Sequence, residues 1–206
     1  MIDPRINPDN PFLTMSLTIP NCLTLFRILA IPLILLVYYS GVKYGNWYCT
    51  ILFSLAGISD ALDGHLARKW NQTSKVGAFL DPVADKLLVC IMLLIVVSNP
   101  ILLSELWSKL AFTITVIVII SREITVSALR EWMAEIGKRG DVAVSVVGKY
   151  KTGIQMGSIG CLLFKSDFIG LPILLIGEIG LYAAGVLTVW SMSIYLRAAY
   201  KAVNQD

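Results

Sequence analysis

Histidine is almost missing from this chain: His65 stands alone among 206 residues. With no second imidazole to share an ion, a metal site built from histidines is excluded, and His65 is not expected to be a ligand. The four cysteines, Cys22, Cys49, Cys90 and Cys161, form no C-x-x-C pair and sit in or beside apolar runs. They read as small buried hydrophobes, which excludes a thiolate zinc cage and a dithiol redox motif. Charge is sparse as well, at 15% of residues against 56% hydrophobic. Acidic residues are absent between Asp9 and Asp60, and again between Asp85 and Glu105.

What fills the chain is apolar sequence, with a mean hydropathy of +0.73. That exceeds the apolar share of a soluble domain. Several runs approach the ~20 residues needed to cross a bilayer, and they recur to the end of the sequence, unlike a cleaved leader. The expected class is an all-α polytopic membrane protein. Six spans are expected, near 22–40 (with a kink at Pro32), 46–66, 78–98, 106–133, 145–164 and 171–199. The stretches "SGVKYGN", "SNPI", "EIGKRGD" and "KSDFIGLP" supply the breaks. Met1–Thr14, polar and rich in Pro and Asn, is read as an extension outside the fold, and residues 15–206 as one transmembrane domain.

Lysine and arginine set the expected orientation. Arg68, Lys69, Lys75, Lys138, Arg139, Lys149, Lys151, Arg197 and Lys201 fall on one side of the six spans, and Lys43, Lys109 and Lys165 on the other. Both termini and the loop after the second span are then cytoplasmic. Tyr44, Trp47, Tyr48 and Trp107 suit an outer aromatic belt, and Trp70 and Trp132 an inner one.

The loop region poses the sharpest question. "SDALDGHLARKWNQTSKVGAFLDPVADK", Ser59 to Lys86, gathers four aspartates between two apolar spans. Carboxylates at a membrane interface repel one another, and a charge deep in a bilayer costs ~2.5–3.5 kcal/mol. No cation lies between Asp60 and Asp63 or between Asp81 and Asp85. A divalent ion is the economical counter-charge, and all-oxygen ligands favour Mg²⁺ or Mn²⁺. Asp60, Asp63, Gly64 and Ala67 share one helical face, and Gly77, Asp81 and Asp85 form a second stripe at steps of four. Small residues beside carboxylates leave room for a bulky ligand. Pro82 suits the first turn of a helix beginning near Ala78. A solvated acidic loop does not explain the glycines. An ion-translocating site would be expected near the midplane between repeated halves, and the sequence has no internal repeat.

Two arginines complete the inventory. Arg122 and Arg130 are eight apart, on roughly the same side of one helix, and Arg122 lies inside an apolar span where it needs a partner. Glu123 and Glu131 are the neighbouring candidates. Lys138 and Arg139 read as a positive-inside signal, and Lys151 stays undecided beside Lys149.

The string D-x-x-D-G-x-x-A-R, eight residues, then G-x-x-x-D-x-x-x-D, from Asp60 to Asp85, resembles the signature of the CDP-alcohol phosphotransferases at all eight defined positions. "IPNCLTLFRILAIP", "GAFLDPVADK", "REITVSALREWMAEIGKR" and "GKYKTGIQM" are similar to members that join CDP-diacylglycerol to sn-glycerol 3-phosphate. The resemblance implies six transmembrane helices, a homodimer in the bacterial inner membrane, a cytoplasmic active site and a two-metal centre of Mg²⁺ or Mn²⁺. It implies Asp60, Asp63 and Asp81 as metal ligands, with Asp85 reaching one metal and serving as base. Asn21, Thr24, Gly64, Ala67, Arg68, Ser74 and Gly77 would line the CDP-diacylglycerol site, and Arg122, Arg130 and Lys149 the acceptor's phosphate. A sister transferase taking inositol phosphate or another alcohol is the near alternative. A metal-ion transporter built on the same aspartates is the distant one.

Overall fold

The computed structural model describes residues 19–70, 75–138 and 146–203. Within these, the side chains of 19, 20, 61–70, 75–79, 146, 147 and 149 are outside the description. The expected extension 1–14 and Ser74 lie outside the described residues.

The described chain is helical: α1 Ile19–Tyr39, α2 Gly45–Trp70, α3 Lys75–Ser98, α4 Pro100–Glu105, α5 Lys109–Glu135, α6 Val146–Phe164 and α7 Ile173–Val203. Each expected span coincides with a long helix. The short α4 was not expected, because "SNPI" reads as a plain break. Asn99 instead caps α4, its side chain accepting from the N–H groups of Ile101 and Leu102, with Pro100 at the first helical position. Such a cap contributes ~1 kcal/mol, and proline there forfeits no helical hydrogen bond. Ser108 caps α5 in the same way through the Ala111 N–H.

α5 ends on Gly137, whose φ of 75° suits a residue without Cβ. The Gly137 N–H meets the Ala134 carbonyl and the Lys138 N–H meets that of Met133. These two bonds close the helix with a Schellman turn. α1 continues through Pro32 as one helix. α3 begins at Lys75, earlier than expected, so Pro82 sits inside the helix rather than in its first turn. Its ring removes the donor that would have met the Ala78 carbonyl.

The chain divides into two compact units, 1–89 and 90–206, with α3 running across the boundary. In the first, α1 packs on α2, burying Ala30, Ile34, Cys49, Phe53 and Ala56. In the second, α7 packs against both α5 and α6. Phe112, Val116, Ile119, Ile159, Leu162, Leu181 and Ala184 are buried there. Among the described residues, three segments are long and apolar enough to cross a membrane: Asn21–Tyr39, Lys109–Glu135 and Ile173–Val203, with mean hydropathies of 2.1, 1.8 and 1.8. Their outer faces stay apolar, with Leu29, Leu36, Ile117, Ile124, Val186 and Trp190 exposed, as a lipid-facing surface requires.

Small residues set the spacing of the second unit. A Cβ on Gly177 would stand 3.0 Å from both Cys161 Cβ and Leu162 Cγ and 3.1 Å from the Leu162 backbone nitrogen. Any added side chain forces α6 or α7 to give way by at least a few tenths of an ångström. Gly177→Leu should lower thermal stability by about 1–3 kcal/mol, the usual cost of overpacking. Gly153→Ala, with nothing within 4 Å of its Cβ position, should be neutral or stabilising by up to ~1 kcal/mol from helix propensity. Thermal unfolding of the two variants in detergent tests the contrast.

Candidate active site

The first unit gathers its polar groups around one side chain of α1. Asn21, Thr24 and Arg27 recur at three-residue steps and are all buried, Arg27 completely. From this face the Arg27 guanidinium reaches the aspartates of α2 and α3. Its Nη1 donates to Asp60 Oδ1 at 2.8 Å and also to Asp85 Oδ1. Its Nη2 stands 3.6 Å from Asp81 Oδ1, and the Thr24 hydroxyl donates to that same oxygen. Each of the three carboxylates keeps more than two-fifths of its side chain exposed. The cation is therefore at the floor of the cluster and the carboxylates form its rim.

This arrangement revises one step of the sequence argument. The aspartates have a protein counter-charge, brought from α1, so the absence of a cation beside them in the chain does not by itself demand a metal. The donor chemistry still suits one. Three carboxylates from two helices converge on a single cationic point and retain exposed surface, as a hard divalent ion requires of its oxygen ligands. Among the described residues, no group of three or more His, Cys, Asp or Glu side chains is placed to hold a metal ion as it stands. The spacing is that of carboxylates around a guanidinium.

Asp63, Gly64, Ala67 and Arg68 continue α2 beyond Asp60, and Gly77 precedes Asp81 on α3. Their side chains lie outside the described residues, as Ser74 does entirely. His65 falls there too.

The second unit holds the basic cluster. Arg122 on α5 is buried. Its Nη2 donates to Ser191 Oγ at 3.1 Å, and its Nη1 stands 3.5 Å from Glu123 Oε1. Ser191 in turn donates to the Thr188 carbonyl at 3.0 Å. Two turns on, Arg130 Nη2 donates to the Tyr195 hydroxyl at 2.7 Å. Both guanidinium carbons also lie over the Tyr195 ring, Arg122 at 5.6 Å and Arg130 at 4.9 Å from its centroid. The expected Glu123 partner for Arg122 is present. For Arg130, the described contacts are to Tyr195 rather than to Glu131, which faces out. Lys151 is almost fully buried on α6 and donates to Glu123 Oε1. It is thus tied to Arg122 through a shared carboxylate. The side chain of Lys149 lies outside the described residues.

Two donors of this cluster are unspent. Arg122 Nε and Arg130 Nε are buried with no hydrogen-bond acceptor among the described residues. A buried donor without a partner is costly, and a phosphate oxygen is a suitable acceptor for a guanidinium.

Residues 17–190 match the family described as CDP-alcohol phosphatidyltransferase. The chain belongs to that family. Among curated relatives of this CDP-alcohol phosphatidyltransferase is a protein of Yersinia enterocolitica, 48% identical over 187 residues, which cover 91% of this chain and 97% of the relative. A Sodalis glossinidius protein is 48% identical over 90% of this chain and 96% of its own length. A Haemophilus influenzae protein is 44% identical over 90% and 95% respectively. All three are named CDP-diacylglycerol–glycerol-3-phosphate 3-phosphatidyltransferase. Family membership agrees with the resemblance carried by the eight motif positions.

Sequence reasoning missed Arg27, Ser191 and Tyr195 in this phosphatidyltransferase. A signal for Arg27 was present: a lone arginine in an apolar run needs a partner, the argument that singles out Arg122. Ser191 and Tyr195 carry no such mark, since a hydroxyl in an apolar helix is ordinary.

Proposed function

We propose that this chain transfers the phosphatidyl group of CDP-diacylglycerol to sn-glycerol 3-phosphate, giving phosphatidylglycerol phosphate and CMP. The observation that carries this reading is the near full-length match to relatives bearing the name of that reaction. The acidic cluster on α1–α3 and the buried arginines of α5 support it chemically.

In this reading the lipid tails stay in the bilayer and the diphosphate meets the aspartate rim at the cytoplasmic surface. Asn21, Thr24, Gly64, Ala67, Arg68, Ser74 and Gly77 line the nucleotide's approach. Arg122, Arg130 and Lys149 hold the acceptor phosphate, the two free Nε donors of the arginines being directed to its oxygens. The acceptor hydroxyl attacks the β-phosphorus. As the new O–P bond forms, its proton passes to Asp85, and the bond to the CMP oxygen breaks. Asp60, Asp63, Asp81 and Asp85 would hold Mg²⁺ or Mn²⁺, which when bound neutralises charge on the phosphoryl oxygens. The remaining catalysis is alignment of the two substrates. All six long helices cross the membrane in this reading, with both termini in the cytoplasm, and the enzyme works as a homodimer in the bacterial inner membrane.

The test is CMP release from CDP-diacylglycerol with a panel of acceptors. sn-Glycerol 3-phosphate should support turnover, while serine and inositol phosphate should not. Preference for inositol phosphate would reassign the acceptor within the family. Activity should vanish in chelator and return with Mg²⁺ or Mn²⁺; full turnover after exhaustive chelation and dialysis would reject the metal.

A further inference from the structure

We infer that Arg27 is the resident counter-ion of the aspartate cluster: it holds Asp60, Asp81 and Asp85 converged in the metal-free protein, and an arriving divalent cation competes with it for them. The inference rests on the metal reading above and goes beyond it, since no part of that reading assigns Arg27 a role.

The geometry has three parts. First, Arg27 is fully buried while its three carboxylate partners are each more than two-fifths exposed. A guanidinium committed so deeply is held in place, and its charge is little screened by solvent. Second, it reaches both helices at once: Nη1 takes Asp60 of α2 and Asp85 of α3, and Nη2 faces Asp81 of α3. A planar fork can span three carboxylates in this way, whereas an ammonium presents a single point of charge. Third, the bonded oxygens of Asp60 and Asp85 share one nitrogen. The cation therefore stands where the carboxylate directions meet, the position that any ion ligated by the same oxygens would contest.

The consequence is opposed effects on assembly and on metal affinity. With Arg27 in place, the carboxylates are partly neutralised and gathered without metal, so the unit does not depend on an ion to fold. An incoming divalent ion meets a cluster already partly neutralised and is repelled by the guanidinium. Removing the charge should weaken the metal-free protein and tighten metal binding.

Purified protein in detergent, stripped with chelator, is titrated with Mg²⁺ while its unfolding temperature is followed, for wild type, Arg27→Gln and Arg27→Lys. Wild type should show a modest rise. Arg27→Gln should unfold at lower temperature without metal and gain more from Mg²⁺, with a midpoint lower by roughly tenfold or more, as expected when a nearby like charge is removed from a cation site. Arg27→Lys keeps the charge and should titrate within about threefold of wild type. An Arg27→Gln protein that folds only when Mg²⁺ is present would support the inference in stronger form. A midpoint that stays put or rises would overturn it, as would failure of Arg27→Gln to fold at saturating Mg²⁺. Arg27→Lys titrating like Arg27→Gln would overturn charge as the cause. If wild type responds and the midpoint does not move, only the role of Arg27 falls. If neither protein responds to Mg²⁺, the metal reading falls and the inference with it.

Discussion

Asp85→Asn should bind both substrates and lose ~10²–10⁴ in kcat, the usual worth of a general base. The attacking hydroxyl is a weak nucleophile and must shed its proton as the bond to phosphorus forms. Of the aspartates with described side chains, Asp85 lies one turn beyond Asp81 on α3, where one oxygen is anchored by Arg27 Nη1. Its side chain stays partly exposed, within reach of a substrate. Asp60→Asn and Asp81→Asn should instead weaken metal binding, and part of their lost activity should return at high Mg²⁺. The measurement is kcat against Mg²⁺ concentration for the three variants. A largely active Asp85→Asn enzyme would reject Asp85 as base. Recovery of its rate by added metal would make it chiefly a ligand.

The second large effect belongs to the acceptor. Arg130→Ala should raise KM for sn-glycerol 3-phosphate about 10- to 100-fold, the scale of a lost charge-assisted hydrogen bond, while KM for CDP-diacylglycerol changes little. Arg130 is positioned by Tyr195 through both the hydroxyl and the ring. Tyr195→Phe removes the hydroxyl and keeps the ring, so its KM should rise only about fivefold, the worth of one neutral hydrogen bond. Equal increases in both substrates' KM values would make the cluster a structural one. The same result would follow from no change at all.

The helices were legible because apolar length and turn residues are local properties of the chain. Each expected span meets a long helix, and the departures have local causes, such as the Asn99 cap that turns "SNPI" into the start of α4. The pairing of Asp81 with Asp85 was legible because a step of four marks one helical face. The positive charge that gathers the aspartates was not, because it comes from Arg27, 33 positions before Asp60 and 58 before Asp85. A search for counter-charges near the aspartates in sequence cannot find a partner supplied by helix packing. The same limit applied to Arg130. Its neighbour Glu131 was the natural partner by sequence, while the hydroxyl it meets is 65 positions away. Lys151, undecided by position alone, is buried and donates to Glu123, a partner 28 positions away.

One further carboxylate bears on how the chain is assembled. Glu178 is buried within the apolar α7, where its Oε1 and Oε2 accept from the Trp107 N–H at 3.1 and 3.3 Å and Tyr182 donates to Oε1 at 2.8 Å. Trp107 precedes it by 71 positions. During synthesis from the N-terminus, the receptor for this acid is therefore made long before the acid itself. α7 can partition into the membrane beside a donor already waiting, which lowers the cost of carrying a carboxylate into an apolar helix. A rearranged gene that made α7 before α5 would deliver the same residues in the wrong order. Glu178 would then enter lipid with Tyr182 alone, and insertion efficiency of α7 should fall although the finished fold could still form every bond.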